Sequence, residues 1–472
     1  MKPYPAYKDS GVPWLGEIPA HWEVRRAKQL FQSKKEINRD RAHKNILSLT
    51  LRGVVNNDPD NPEGLVPKDY ASYQFFQKND LVFKLIDLEN LRTSRVGLVH
   101  EDGIMSPAYV RLSPHHNGIQ RYFFHQYYDL WLRGIYNQLG AGVRSTLGQS
   151  DLLNLGILFP PPDEQSAIVR YLDHANQRID RYIRVKRKLI ALLNEQKQAI
   201  IHRAVTRGLA SNVRLKPSGV AWLGDVPEHW EVLPIGRFAK VGNGSTPSRG
   251  NIAYWRNGCY PWLNSSQVNR GTIDSADQFV TETALQECHL PRVTPGSVLV
   301  AITGQGKTRG TSALLQFEAT INQHIAFITP RSVFMSSEYL HLTLTGAYTE
   351  LRTISEDSGS TKGALTCQDL KRFKIPIAPL AEQNQIVEAI TQEAKPIQDA
   401  IARAEREIEL IREYRTRLIA DVVTGKVDVR AAAEQLPQTE IAVPETPSEI
   451  ENNEIVEETE CPPTPAKKVL RV

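Results

Sequence analysis

The sequence predicts two mixed α/β domains, related by internal duplication and joined by a pair of long helices. Three observations carry that expectation. Ser10–Val24, SGVPWLGEIPAHWEV, returns at Ser218–Val232 as SGVAWLGDVPEHWEV, with eleven of fifteen residues identical. A second match joins Thr146–Leu172 to Ala364–Ile390 at an offset of 218, with Asp151/Asp369, Glu164/Glu382, Gln165/Gln383 and Ile168/Ile386 coinciding. Beyond both matches runs the same apolar heptad spacing. A repeat of this kind governs every later assignment, because each half must be built alike where it is alike.

The bulk numbers fit. At 472 residues the chain exceeds one ordinary core, so two or three domains are expected. Hydrophobic residues make up 41% and charged residues 23%, the balance of a globular protein. No apolar run approaches the ~18 residues that a membrane span needs. The N-terminal segment lacks the apolar core of a signal peptide. The four cysteines lie far apart and form no CxxC pair, so neither a zinc site nor a disulfide framework is expected, and a reducing cytoplasm is. Glu434 onward holds nine Glu and three Lys/Arg, a net of −6. The preceding 433 residues hold 54 basic and 44 acidic groups, a net of +10. A moderately basic body permits a polyanionic partner without requiring one.

The elements follow in order. Residues 1–162 form a first head that begins with the repeated segment. Its middle, Arg25–Ser145, contains strand-like DLVFKLI, RVGLVH and AYVRLS and the helical QRYFFHQYYDLWLRGIYNQ. Residues 163–208 read as a long helix, since Glu164–Arg207 has no Pro and no Gly. Leu172, Ile179, Ile183, Ile190, Leu193 and Ile200 fall at steps of 7, 4, 7, 3 and 7, a coiled-coil seam ~42 Å long at 1.5 Å per residue. Residues 209–378 form the second head. Its middle, Leu233–Gly363, shows no alignment to the first beyond length, yet carries strand-like GSVLVAIT, TSALLQ and NQHIAFITP and a helical SSEYLHLTLTGAYTELRTI. Residues 379–425 repeat the helix, with Ile390, Ile397, Ile401, Ile408, Ile411 and Leu418 at the equivalent seam positions. Pro396 predicts a kink or restart there. The matching seams make each helix the natural partner of the other, in either orientation. Residues 426–472, rich in Glu, Pro and Thr, are expected to be disordered.

A search for chemistry returns little. AITGQGKTRG, Ala301–Gly310, ends like a phosphate-binding loop, but Ala301 stands where that loop needs Gly, and a strand-like segment follows where it needs a helix. No metal-ligand cluster, nucleophile elbow or dinucleotide fingerprint occurs, so catalytic and metal residues are expected to be none. The repeated His-Trp-Glu suits a structural corner with Trp22 and Trp230 buried. The middles instead offer polar, basic loops: Arg92, Thr93, Ser94 and Arg95; Ser245, Thr246 and Arg249; Asn264, Ser265 and Gln267; Lys307, Thr308 and Arg309. Arg144 and Lys362 hold a basic position 218 residues apart. Arg reaches guanine, Asn and Gln reach adenine, and Ser or Thr reach phosphate, so these are candidate DNA contacts. An enzyme built on the 301–310 loop and a coiled-coil scaffold that binds only proteins are the competing readings.

On these residues the chain resembles the specificity subunit of type I restriction-modification enzymes. The resemblance rests on PWLGEIPAHWEV/AWLGDVPEHWEV, on PPPDEQSAIVRYLDHANQRIDRYI with its partner APLAEQNQIVEAI, and on AVTRGL/VVTGKVDVR, and spans roughly residues 10–430. It implies two mixed target-recognition domains joined by a long antiparallel two-helix coiled coil with pseudo-twofold symmetry. It also implies a non-catalytic subunit that binds double-stranded DNA, two methyltransferase subunits and restriction/translocase subunits. S-adenosylmethionine, ATP and Mg would then be bound by those partners, with no cofactor in this chain.

Overall fold

The computed structural model describes residues 2–51, 53–58, 69–86, 94–116, 118, 120–139, 147–304, 307–356 and 363–437. The chain forms two compact units. Among the described residues, one comprises 2–187 with 405–437 and the other 188–404. The boundary therefore falls inside both long helices rather than at their ends.

In the first unit, Glu23–Arg26 pairs antiparallel with Gly156–Phe159, so the start and finish of the head are clamped together. Between them a four-stranded sheet has the order Phe31–Gln32, Val110–Pro114, Leu81–Phe83, Val96–Leu98. The strand Leu81–Phe83 is buried throughout because both faces are covered. Leu81 and Phe83 point into a core with Phe31, Phe123, Tyr127 and Leu130, the last three from the helix Gln120–Leu132. Val82 points the other way, onto Leu47, Leu49, Phe76 and Met105 of two small two-stranded sheets. That is the period-two alternation of a strand between two layers. The rings of Phe31 and Phe123 meet edge to face with centroids 5.4 Å apart, and those of Phe83 and Tyr127 at 5.0 Å.

The second unit repeats the plan. Its sheet has the order Ala239–Asn243, Ile325–Pro330, Val298–Ala301, Ser312–Leu315, Thr272–Ile273. Val298 and Val300 face the helix Ser337–Gly346, through Tyr339, Leu340 and Leu344. Leu299 and Ala301 face Leu263, Val268 and Ile321. Middles with no alignable sequence thus share the order of their four central strands and the helix behind them. What the sequences kept is strands buried on both faces, a requirement that many apolar residue combinations satisfy. The second head adds a three-stranded sheet, Gln278–Val280, Tyr260–Leu263 and Thr320–Ile321.

The long helices are Pro162–Arg207 and Leu380–Val423. The restart expected at Pro396 does not occur. The second helix runs through it as one element of 44 residues, with Pro396 exposed, so only one backbone bond on the solvent side is given up. Leu172, Ile179, Ile183, Ile390, Ile397, Ile408 and Leu418 are buried, and Ile190, Leu193, Ile200, Ile401 and Ile411 are half-buried. In the first unit the helices run antiparallel: Asp180 pairs with Arg415, while Lys186, further along, pairs with Glu407 at 2.6 Å. In the second unit, the end of the first helix meets the start of the second, with Ile201, Ala204 and Val205 in one core with Ile386 and Ile390. Both helices stop at a glycine of positive φ, Gly208 at +70° and Gly425 at +74°. A left-handed residue there closes the last turn at little cost only when it lacks a Cβ.

The expectation of disorder from residue 426 is corrected for residues 426–437. Arg430–Glu434 is helical, and Val429 and Ala433 are buried in the first unit. Asp428 and Arg430 pair at 2.7 Å, and Asp428 N–H donates to the Lys2 carbonyl at 2.9 Å. Val427, Val429 and Ala433 are the apolar residues that this segment brings against the first unit. Residues 438–472 lie outside the described residues.

Candidate nucleic-acid interface

Each head is anchored by the same carboxylate. The Trp22 indole N–H donates to Glu164 Oε2 at 2.8 Å, and His21 Nε2 lies 2.7 Å from Oε1. In the second unit Trp230 reaches Glu382 at 3.0 Å and His229 reaches it at 2.8 Å. Both indoles are 0% exposed. The neighbouring glutamines cap the same corner: Gln165 donates to the Pro160 carbonyl at 2.8 Å and Gln383 to the Ala378 carbonyl at 2.7 Å. The repeated His-Trp and Glu-Gln are therefore one structural latch, which ties the opening of each head to the start of its long helix. Glu164 also accepts from the Tyr4 hydroxyl at 3.1 Å and from Arg430 at 3.3 Å. Burial, reinforced by the Glu164 charge, holds the Tyr4 hydroxyl far above its ordinary pKa, so it remains a donor.

The second head presents a polar edge where four strands open. Ala239–Asn243 and Val298–Ala301 both lie antiparallel to Ile325–Pro330, with Asn243 opposite Ala326 and Ala301 opposite Ile325. Tyr260–Leu263 runs parallel to Thr320–Ile321, which leads directly into Ile325. The loops after these strands consequently converge. They are sewn together by Ser245 N–H to the Ile321 carbonyl at 3.1 Å, Asn322 N–H to the Leu263 carbonyl at 2.9 Å, and Ile302 N–H to the His324 carbonyl at 2.9 Å. Gly244 permits the closest approach: a Cβ there would stand 1.7 Å from the Ile321 carbonyl oxygen.

Several sequence candidates come together here. Ser245, Thr246, Asn264, Ser265 and Thr308 are half-buried, and Lys307 is exposed. The Thr246 hydroxyl donates to Gln323 Oε1. Asn269 Nδ2 donates to Thr308 Oγ1 at 3.2 Å, and the Tyr348 hydroxyl steadies the Lys307 carbonyl at 2.8 Å. Arg249 is exposed, but its guanidinium lies 3.8 Å over the Trp255 ring and donates to Gln278 at 2.8 Å.

Other candidates turn inward, which corrects their assignment as direct contacts. Gln267 is 2% exposed and belongs to the Asn264 capping box. Arg309 is 8% exposed, donating to the Gly363 carbonyl at 2.7 Å and pairing with Glu356 at 3.1 Å. In the first head Ser94 and Arg95 are buried. Ser94 Oγ donates to the Val96 carbonyl at 2.7 Å, and Arg95 donates to the Ile86 carbonyl at 3.1 Å. Such polar side chains enter a core when a backbone carbonyl receives them, which loop composition does not reveal. Arg92, Thr93, Arg144 and Lys362 lie outside the described residues.

Sequence reading missed other groups. Gln323 and His324 lie in NQHIAFITP, read as strand throughout, whereas Asn322–His324 is a turn before Ile325. The polar triplet was the available signal. In the first head, Lys34, Lys35, Arg39, Arg41, His43 and Lys44 are exposed. Lys35 Nζ donates to the Pro107 carbonyl at 2.8 Å, at the turn that precedes Val110–Pro114. The 301–310 loop connects two antiparallel strands, Val298–Ala301 and Ser312–Leu315. A strand rather than a helix follows it in the chain, so it lacks the strand–loop–helix order of a phosphate-binding loop.

The sequence profile of the type I restriction modification DNA specificity domain matches twice, over residues 19–194 and 227–410. The type I restriction enzyme EcoR124I/EcoR124II specificity subunit of Escherichia coli is 25% identical over 293 residues, covering 60% of this chain and 67% of that one. The type I restriction enzyme MjaIX specificity subunit of Methanocaldococcus jannaschii is 19% identical over 443 residues, 88% of this chain and 95% of that one. A solved chain described under complex assembly and conformational transition of the type I R-M system superposes with a TM-score of 0.59 at 15% identity, covering 87% of this chain and 99% of that one, a likeness of fold. With the family profile matched once in each half, over most of its length, the chain belongs to the type I restriction modification DNA specificity family.

Proposed function

We propose that the two heads read the two parts of a split, asymmetric motif in double-stranded DNA, and that the repeated segments dock two methyltransferase subunits. The chain is a type I restriction-modification specificity subunit, a DNA-recognition component and not itself a catalyst. Restriction/translocase subunits join through the complex. S-adenosylmethionine, ATP and Mg belong to those partners.

The observation that carries the reading is the contrast between scaffold and edge. The strand order and the Trp–Glu latch are common to both heads. The turns at the equivalent edge differ completely: Ser106-Pro107-Ala108 in one and Asn322-Gln323-His324 in the other. A shared frame with unlike reading edges fits recognition of two unlike sequences. The test is exchange of the first middle for that of a relative, followed by genome-wide sequencing of methylated bases. One part of the motif should change and the other remain. A swap that alters both parts, or neither, refutes the modular reading.

A further inference from the structure

Gln323 occupies the turn between Thr320–Ile321 and Ile325–Pro330, at the convergent edge of the second head. It is exposed, yet its carboxamide is held on both sides. The Thr246 hydroxyl donates to Oε1. Gln323 Nε2 donates to His324 Nε2 at 3.0 Å. His324 Nε2 is then the unprotonated ring nitrogen, so Nδ1 carries the hydrogen and donates to Thr303 Oγ1, 2.6 Å away. The backbone is equally fixed, since His324 N–H donates to Asn322 Oδ1 at 3.0 Å and the His324 carbonyl accepts from Ile302.

A carboxamide has two acceptor lone pairs and two N–H donors. This network uses one of each. One acceptor on Oε1 and one N–H on Nε2 are left over on an exposed group that is held at both ends. That pair is complementary to the N6 donor and N7 acceptor that adenine presents in the major groove. Lys307, exposed on the loop that leaves Thr303, supplies a cation for a neighbouring phosphate. In the first head the equivalent turn carries Pro107, whose carbonyl is taken by Lys35, and no carboxamide.

We infer that Gln323 is a base-reading residue of the second head, specifying an A·T pair through the adenine N6 and N7 groups. Thr246, His324 and Thr303 are its positioning residues. The inference rests on the reading that the second head contacts DNA.

The test uses the full chain, co-produced in cells with its methyltransferase partner, with the methylated motif read genome-wide. For Gln323→Ala, one adenine position in one part of the motif should become degenerate, with discrimination falling about 5- to 150-fold. The other part should stay intact. Thr246→Val should relax the same position, and Thr246→Ser, which keeps the hydroxyl, should restore it, a rescue that a merely structural role would not produce. If Gln323→Ala abolishes methylation altogether, the Thr246 pair decides. An unchanged motif in Thr246→Val, or relaxation at a position that is not A·T, overturns the assignment. Replacement of the whole second middle runs alongside. If that swap rewrites half of the motif while Gln323→Ala leaves it unaltered, only the role of Gln323 fails. If the swap itself changes nothing, the reading beneath it fails.

Discussion

The indole N–H of Trp22 meets the carboxylate of Glu164 at 2.8 Å across 142 residues of sequence. Around that contact gather Tyr4, His21 and Arg430, so Glu164 serves four side chains. Glu382, its repeat, has His229 and Trp230 as its side-chain partners. Hydrogen bonds to a charged group stabilise by about 1.5–3 kcal/mol, and stranded buried donors add to the loss. Glu164→Ala should therefore lower the stability of the first unit by about 3 kcal/mol, and Glu382→Ala should cost the second unit less. Urea midpoints of the two variants check this, and equal losses would contradict the ranking.

A second expectation concerns acid. His341, on the helix Ser337–Gly346, lies with Nδ1 3.0 Å from Ser312 Oγ. Desolvation, with Lys197 adding to it, pushes His341 from 6.5 down to about 4. The folded state thus disfavours the proton that the unfolded state accepts. Its contribution is full above pH ~6.5 and is lost as pH falls toward 4, at most on the order of 3 kcal/mol. Stability of the second unit measured between pH 7 and 4 should fall, and His341→Gln should flatten that part of the profile. An unaltered slope in the variant would count against it.

The helix seam gives a sharper contrast. Ile183 is 6% exposed and Val185, two residues on, is 61% exposed. An unpaired carboxylate in the seam costs several kcal/mol, whereas an exposed substitution stays within about 0.5 kcal/mol. Ile183→Asp should shift thermal unfolding by many degrees and Val185→Asp should hardly move it.

Chimera design follows from the clamp strands. Because Glu23–Arg26 pairs with Gly156–Phe159, exchanges cut at 27 and 155 keep the pair within one parent. Those cut between 24 and 25 mix it. Soluble yield and methylation should be higher for the first kind.

Finally, the heads are carried on two uninterrupted helices of 46 and 44 residues. Removing one heptad from each, Leu189–Glu195 and Glu407–Glu413, preserves the seam register. Methylome sequencing should show a shorter gap in the motif with the same bases on either side. A changed base at either side would contradict a spacing role.

The sequence by itself determined the duplication, three strands and the helix that follows them in each head, and both seams. These rest on local periodicity, and local periodicity is written in consecutive residues. It also placed Trp22 and Trp230 in buried corners, but not their partner, because Glu164 and Glu382 look like any acidic first turn of a helix. Tertiary structure alone decided which polar loop residues face outward. Arg309 and Arg95 have the composition of contacts, yet each is received by backbone carbonyls of its own head. Gln323 has the surroundings of a strand, yet it stands on a turn where Thr246, 77 residues away, holds its amide directly and Thr303 holds it through His324. Which carbonyl a long side chain reaches, and which loops meet, are set by strand order and register. Those are properties of the folded sheet, and no run of consecutive residues encodes them.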